Sequence, residues 1–268
     1  MAWFKRSSRF TMLVLTVALT LELAVKVSAQ AQVRPGSRSL GSELVRAFSP
    51  PRPPSSNLPD RREGGATRGP CIMDRKLLTA LVPVSGVGQT IDQYPTIYMY
   101  MPKMSSKEAV APALEFTLRD AKDQKIYSAQ YPLAKSADGI VGTPGLMSLR
   151  VDKSHPIQVG QEYNWELRLM CDSTDSDRSD DQIVEGGFKR VAADPNLAVR
   201  LERATPQDRV ALYANAQLWY ETLGTLIELR RDRPNDQNLA DAWDKLLSTV
   251  YLNKIAKEPL VQGAKNVN

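Results

Sequence analysis

One stretch limits the fold more than any other, because apolar and polar side chains alternate along residues 163–171, with Met170 as the exception. Every second side chain of a β-strand lies on the same face, so this run predicts a strand that is buried on one face only. The predicted inward residues are Tyr163, Trp165, Leu167, Leu169 and Cys171. The pattern therefore indicates a sheet with one face on a hydrophobic core.

Further short β-like runs occur on both sides of this strand, and turn residues separate them. The other runs are 77–84, 96–101, 114–118, 125–133, 146–151 and 183–191. About seven strands at such spacing are typical of an antiparallel sandwich. We therefore expect residues 71–203 to form an antiparallel β-sandwich-like domain.

After residue 195 the spacing of apolar residues becomes helical. Thr205, Pro206 and Asp208 form a typical helix start, with Thr at the N-cap, Pro at the first helical position and an acid in the first turn. We expect this helix to run to about Arg231. Apolar residues cover more than half of its circumference, so it should be buried on two sides.

A second predicted helix follows, and its apolar residues form a single stripe at helical spacing. They are Leu239, Ala242, Trp243, Leu246, Leu247 and Val250. The two helices predict a C-terminal two-helix hairpin, residues 204–262, packed on the β domain. The whole is an α+β protein with a single globular domain, residues 71–262.

The N-terminus has the parts of a secretion signal. Three basic residues lie within the first nine positions, and a mainly apolar run follows from residue 10 to 21. Val27 and Ala29 satisfy the rule for small residues at a cleavage site. We expect residues 1–29 to be a cleaved signal peptide, with an uncleaved anchor as the alternative. The mature chain then reaches the periplasm or the extracellular space, and no later run approaches the ~18 apolar residues of a membrane helix.

Residues 30–70 are rich in Pro, Ser, Gly and Arg. Such a composition cannot bury enough apolar surface to offset the entropy of ordering, so we expect a disordered linker. A spacer is the favoured role. The alternative is a recognition segment for a partner or a wall polymer.

The net charge of +5 at pH 7 invites a nucleic-acid interpretation, but the position of the charge argues against it. Residues 1–70 carry a net charge of +7, and residues 71–268 carry a net charge of −2. A protein that binds phosphates needs a basic surface on its folded domain. We therefore expect no nucleic-acid partner.

The chain has 2 cysteines, Cys71 and Cys171. After export to an oxidising compartment they can form a stable disulfide. A closed loop of roughly 100 residues stabilises a fold by about 4–5 kcal/mol in the chain-entropy model. Their separation excludes a Cys-x-x-Cys redox pair, so the predicted role is structural.

The candidates for chemistry are few. His155, the single histidine, stands beside Pro156 in a predicted turn, although serine and cysteine hydrolases depend on a well-placed histidine. An aspartate-rich segment after residue 171 is a weak calcium candidate, but it fails the EF-hand pattern, so a solvated loop is the favoured interpretation. Its acids are Asp172, Asp175, Asp177, Asp180 and Asp181.

Two glutamates, Glu162 and Glu166, share the polar face of the 163–171 strand. Residues four apart on a strand lie ~13 Å apart, beyond the ~5–10 Å that separates a glycosidase pair. Trp219, Tyr220 and Trp243 suit an aromatic ligand platform, but their helical spacing favours core packing. We therefore predict no catalytic residue, no cofactor and no zinc site.

Several short motifs occur in an order that is specific as a set. They are GGATRGPC at 64–71, LTALVP at 78–83, PT at 95–96, GIV at 139–141, YNW at 163–165, EG at 185–186, ALY at 211–213, LWY at 218–220, LR at 229–230, RPND at 233–236 and LL at 246–247. With them, residues 64–262 resemble the family called domain of unknown function 928, known mainly from cyanobacterial envelope proteins. Relatives often have Trp where Gly187 stands and aromatics where Met99 and Met101 stand. The resemblance implies an exported protein and no activity.

These observations predict a non-enzymatic interaction or structural module of the cell envelope, whose partner is an envelope protein or a wall polymer. One alternative is a cell-wall or polysaccharide-directed hydrolase with carboxylates from separate strands. Another is a carrier of a small apolar ligand. Converging acids of perturbed pKa would favour the enzyme. An enclosed apolar cavity would favour the carrier, and an exposed apolar patch would favour the interaction module.

Overall fold

The computed structural model describes residues 39–50, 61–65 and 69–261. The predicted signal peptide, residues 1–29, lies outside these ranges, as does much of the predicted linker. No helix of the described part is long and apolar enough to cross a bilayer.

Strands and helices follow one another in a β-rich half and a helical half. The strands are β1 (Thr79–Ala80), β2 (Val87–Thr90), β3 (Thr96–Met101), β4 (Met104–Ser105), β5 (Ala113–Asp120), β6 (Lys125–Pro132), β7 (Ile140–Val141), β8 (Gly145–Arg150), β9 (Glu162–Met170) and β10 (Gln182–Arg190). The helices are α1 (Leu40–Phe48), α2 (Pro195–Arg203), α3 (Pro206–Asn215), α4 (Trp219–Asp232) and α5 (Gln237–Thr249), followed by a 3₁₀ turn at Asn253–Ile255. The protein is of the α+β class.

The largest sheet has the strand order β2-β10-β9-β5-β6. Strand β9 is central, and the alternation predicted from its sequence is confirmed because the inward residues from Tyr163 to Cys171 are all buried. Three of the four pairings are antiparallel, whereas β2 pairs with β10 in parallel. A three-stranded sheet of order β1-β3-β8 and a two-stranded sheet of β4 and β7 complete the strands of the described residues.

The predicted two-helix hairpin at 204–262 is wrong, because the described residues of that range form three α-helices, α3, α4 and α5, and α2 lies at the end of the segment predicted to be β-rich. Thr205 caps α3 as predicted, accepting from the Asp208 amide at 3.1 Å. The chain then leaves the helix at Gln217, which has a φ of 60°. The amide of Leu218 donates to the Tyr213 carbonyl at 3.0 Å, which closes the end of α3 as a Schellman motif does. The expected single helix is therefore two helices.

Helix α4 is anchored to both larger sheets by its first two residues. The Trp219 indole donates to the Leu81 carbonyl, next to β1, at 3.0 Å, and the Tyr220 hydroxyl donates to the Gly187 carbonyl of β10 at 2.8 Å. In α5 the Trp243 indole donates to the Ala256 carbonyl at 2.9 Å. All three rings are buried, which confirms core packing as the main role of these aromatics.

The expectation of disorder fails for part of residues 30–70. Ser39 caps helix α1, and Leu44 of α1 is 0% exposed. The Phe48 ring meets Trp219 edge-on, with 5.0 Å between centroids. Leu40, Leu44 and Phe48 recur every four residues and so form one stripe of the helix. The polar, Pro-rich average composition concealed this stripe, which packs against the C-terminal helices.

The disulfide Cys71–Cys171 is present, with Cα atoms 5.7 Å apart. It joins the start of the β-rich half to the end of β9. Nearby, residues 61–65 are held by Arg62, whose Nη1 donates to the Val82 carbonyl at 3.3 Å and the Val250 carbonyl at 2.9 Å. The segment before Cys71 is thus attached to a strand end and to the end of α5.

Candidate functional site

Four of the five aspartates of the weak calcium candidate accept hydrogen bonds in tight turns or pair with arginine. Asp172 accepts from the amide and hydroxyl of Thr174 at 2.9 and 2.6 Å, which lowers the pKa of the Asp172 carboxyl. Asp181 accepts from Arg168 at 3.3 Å. Within the described residues, no three His, Cys, Asp or Glu side chains gather to hold a metal ion. The structure therefore lends no support to calcium binding here.

The other residues that the sequence raised lie in ordinary structural positions. His155 closes a turn, its amide donating to the Asp152 carbonyl at 3.0 Å, and its ring stacks on Tyr127 with 4.6 Å between centroids. Glu162 pairs with Lys189 at 3.2 Å, and Glu166 pairs with Arg168 at 3.0 Å. The two glutamates are charges of a strand surface.

A different group of residues surrounds a cavity of about 150 Å³ between the β2–β3 connection and the helices α3 and α4. We call it the Glu221 pocket. Its lining residues are Thr90, Asp92, Pro95, Thr96, Tyr98, Tyr213, Tyr220, Glu221, Gly224, Thr225 and Glu228.

Glu221 is the most constrained acid of the pocket. Its Oε1 accepts from the Thr90 hydroxyl at 2.6 Å, the Ile91 amide at 2.8 Å and the Asp92 amide at 3.2 Å. Its Oε2 is buried and has no hydrogen-bond partner among the described residues. Burial raises the pKa of Glu221, and the three donors oppose that rise. The carboxylate is thus fixed in place with one acceptor oxygen to spare.

Helical spacing gives the pocket its wall on α4. Glu221, Thr225 and Glu228 lie four and three residues apart, which places them on one face of a helix. Gly224 lies on the same face, and a Cβ there would stand 2.5 Å from the Tyr98 hydroxyl. A glycine inside a helix costs about 0.5–1 kcal/mol relative to alanine. Here it is required because the Tyr98 phenol crosses α4 at that point.

Asp92 lies in the β2–β3 connection, which forms another part of the pocket lining. Its Oδ1 accepts from the Tyr94 amide at 2.9 Å, and its Oδ2 accepts from Arg150 at 2.8 Å. Its own amide donates to the Thr90 hydroxyl at 3.1 Å. Both carboxylate oxygens are therefore engaged in fixing the β2–β3 connection.

The electrostatic character of the pocket follows from its lining. Of the residues that the structure describes, three carboxylates and three tyrosines line it, and no Lys or Arg does. Burial, with a contribution from the negative charge of Glu228, raises the pKa of Tyr98 and so keeps its hydroxyl neutral. The pocket therefore offers acceptor oxygens and aromatic faces rather than positive charge.

The profile of the family described as Domain of Unknown Function (DUF928) matches residues 63–260. The chain belongs to this family. A comparison with the curated proteins finds no match. The DUF928 match covers every residue named as lining the Glu221 pocket, so the pocket lies within the matched region of this chain.

Two crystal structures of the β-glucuronidase from Parabacteroides merdae are among the solved structures that match this DUF928 protein. One, with glycerol in its active site, has 15% sequence identity and a TM-score of 0.19, and covers 36% of this chain and 11% of that chain. The second has 14% identity and a TM-score of 0.18, with the same coverage. The matched part is about a tenth of the glucuronidase chain, and no argument about activity follows from it.

The positions at which the resemblance led us to expect aromatic residues lie away from the solvent. Met99 and Met101 are buried in the core, and the Gly187 carbonyl accepts from Tyr220.

Sequence reasoning did not find the Glu221 pocket, because an acid in the first turn of a helix is commonly explained by the helix dipole. The available signal was Gly224, a glycine inside a strongly apolar helical run.

Proposed function

We propose that this protein is an exported, non-enzymatic binding module of the cell envelope that holds a small polar ligand in the Glu221 pocket. The observation that carries the proposal is the Glu221 carboxylate, which three donors fix in the wall of a cavity while its second oxygen has no hydrogen-bond partner in the described part of the chain. An unpaired buried acceptor costs about 1–3 kcal/mol. A ligand whose donor reaches this oxygen on binding would recover this cost.

The pocket is rigid, and this supports binding over a passive structural role. Its walls come from a sheet connection tied down by Asp92 and from a helix anchored by Trp219 and Tyr220. A site that is formed before the ligand arrives avoids the cost of ordering side chains on binding.

We further infer that the five-stranded and three-stranded sheets, which share one hydrophobic core, form the sandwich-like unit expected from the sequence.

Export is part of the proposal and has two supports. The leader has the features of a signal peptide, and the Cys71–Cys171 disulfide is of a kind that persists in oxidising compartments. The periplasm or the extracellular space is therefore the proposed location. An envelope protein or a wall polymer remains the proposed partner that presents the ligand group.

Binding is tested by NMR on the purified, disulfide-bonded protein labelled with ¹⁵N. Three mixtures of small molecules, cationic, neutral and anionic, are titrated separately. We expect at least one mixture to shift the amide signals of Ile91, Asp92 and Glu221 in a saturable way, and to leave those of the 172–181 loop unchanged. If none of the mixtures shifts the pocket amides of the folded protein, the proposed function is wrong.

The hydrolase is a second candidate, because Glu221 and Asp92 reach one cavity from separate elements and burial raises the pKa of Glu221. An acid of raised pKa suits proton donation. Both Asp92 oxygens are already occupied, however, which favours binding. Turnover of chromogenic glycosides or of wall polymer that is lost in Glu221→Gln would establish the enzyme and refute the binding module. The acidic lining of the pocket does not suit a small apolar ligand, which argues against the carrier.

A further inference from the structure

We infer that the Glu221 pocket takes a small organic cation whose charged group donates hydrogen bonds, such as a primary ammonium or a guanidinium. The inference rests on the proposed binding function and names its ligand class. Three features of the pocket carry it, namely its charge, its aromatic rings and its size.

The charge of the lining excludes anions and favours cations. Asp92, Glu221 and Glu228 line the pocket, and Asp92 is already paired with an arginine, so Glu221 and Glu228 supply the remaining negative charge. Arg150 pairs with Asp92, and Arg231 donates to the Val261 carbonyl. An ionised carboxylate away from water is costly unless a positive charge pairs with it. A cation in the cavity supplies that charge to the carboxylates of the lining.

The tyrosines favour an organic cation over a metal ion. Tyr98, Tyr213 and Tyr220 line the same cavity, and a cation near an aromatic face is stabilised by about 0.5–2 kcal/mol. Calcium, by contrast, takes 6–8 oxygen ligands. No three acidic, histidine or cysteine side chains of the described residues gather to hold a metal ion. The pocket thus matches a diffuse cation with N–H donors.

The volume sets the size of the ligand. A cavity of about 150 Å³ is comparable with an engineered cavity that accommodates benzene, so it holds roughly six non-hydrogen atoms. An ammonium on a chain of two to four carbons fits, as does guanidinium. A longer molecule would place only its cationic end in the pocket. Its remainder would leave past Glu228, which is exposed.

The experiment compares matched small molecules by NMR titration of the full disulfide-bonded protein. The probes are n-propylammonium, guanidinium, neutral propanol, propionate, tetramethylammonium and Ca²⁺. We expect propylammonium and guanidinium to shift the Asp92 and Glu221 amides. Propanol and tetramethylammonium should bind at least 10-fold more weakly, since one lacks the charge and the other lacks the donors. Propionate and Ca²⁺ should not compete.

Two variants locate the effect. Glu221→Gln keeps the shape of the side chain and removes its charge, so the affinity for propylammonium should fall at least 10-fold. Glu202→Gln changes an exposed acid of α2 outside the pocket and should leave the affinity unchanged. Glu228→Gln, at the exposed rim, should lower the affinity about 3-fold and gives a second result if Glu221→Gln does not fold.

The outcomes separate the two proposals. If propanol, propionate or Ca²⁺ binds at the pocket amides and propylammonium does not, the cation inference is wrong and the binding function stands. If no probe binds the folded protein at these amides, both are overturned. If propylammonium binds equally well to wild type, Glu221→Gln and Glu228→Gln, the pocket acids do not recognise the charge and the inference is refuted.

Discussion

Trp219 gives the sharpest test of whether helix α4 belongs to the core of the β-rich half. Its side chain is 1% exposed. Its indole donates to the Leu81 carbonyl at 3.0 Å, and its ring lies edge-on to Phe48 at 5.0 Å. One side chain thus joins α4 to the segment after β1 and to helix α1.

The expected magnitude follows from these contacts. Trp219→Ala removes the packing of a buried large aromatic, which costs about 3–5 kcal/mol, and leaves the buried Leu81 carbonyl without its donor. We expect the free energy of unfolding to fall by at least ~4 kcal/mol. Trp219→Phe keeps most of the aromatic packing and removes only the indole N–H donor and the five-membered ring of the indole. Its expected loss is about 1–3 kcal/mol.

The assay is urea unfolding followed by far-UV circular dichroism, because a tryptophan substitution changes the fluorescence signal itself. Val199→Ala is the control, since Val199 on α2 is 51% exposed and should alter stability by no more than about 0.5 kcal/mol. In a double-mutant cycle with Phe48→Ala, we expect a coupling of about 0.5–1.5 kcal/mol. A loss below ~1 kcal/mol for Trp219→Ala would show that α4 is an appendage.

Three further predictions concern stability. Leu44→Ala should cost about 2–5 kcal/mol in the same urea assay, whereas a disordered segment 30–70 would show no change. Replacing Cys71 and Cys171 by Ser should cost about 2–5 kcal/mol. Two alkylatable thiols in the native protein would contradict the disulfide. Burial raises the folded-state pKa of Glu221, so protonated Glu221 stabilises the fold below its ordinary pKa and that contribution is lost as the pH rises through the folded value. The unfolding free energy of wild type relative to Glu221→Gln should therefore decrease with rising pH, and a flat difference would refute this.

Much of the fold could be predicted because it depends on local patterns. The alternation of residues 163–171 identified β9 and its buried face, since strand geometry alone assigns alternate side chains to opposite sides. The stripe through Trp243 identified α5 for the equivalent reason. The cap at Thr205 located the start of α3. The pairing of Cys71 with Cys171 followed from having 2 cysteines and a predicted oxidising compartment.

The break between α3 and α4 shows where reasoning from local sequence fails. Gln217 adopts a left-handed conformation that glycine usually supplies, so nothing in the sequence announced a break. The apolar residues before and after Gln217 have the spacing of one continuous helix. In the same way, the composition of residues 30–70 predicted disorder, although Leu44 and Phe48 find a surface on the C-terminal helices. Burial against a distant surface outweighed the average composition.

The sequence by itself determined the positions of the longer strands and of α5, the buried face of β9 and the cysteines that can pair, because these depend on periodicity and on short-range caps. The tertiary structure alone decided the parallel pairing of β2 with β10, the docking of α1 and the Glu221 pocket. The pocket exists because the carboxylate of Glu221 reaches the amides of Ile91 and Asp92, 130 and 129 residues away in the chain. A cavity lies between elements, so the packing of those elements defines it and no single segment encodes it.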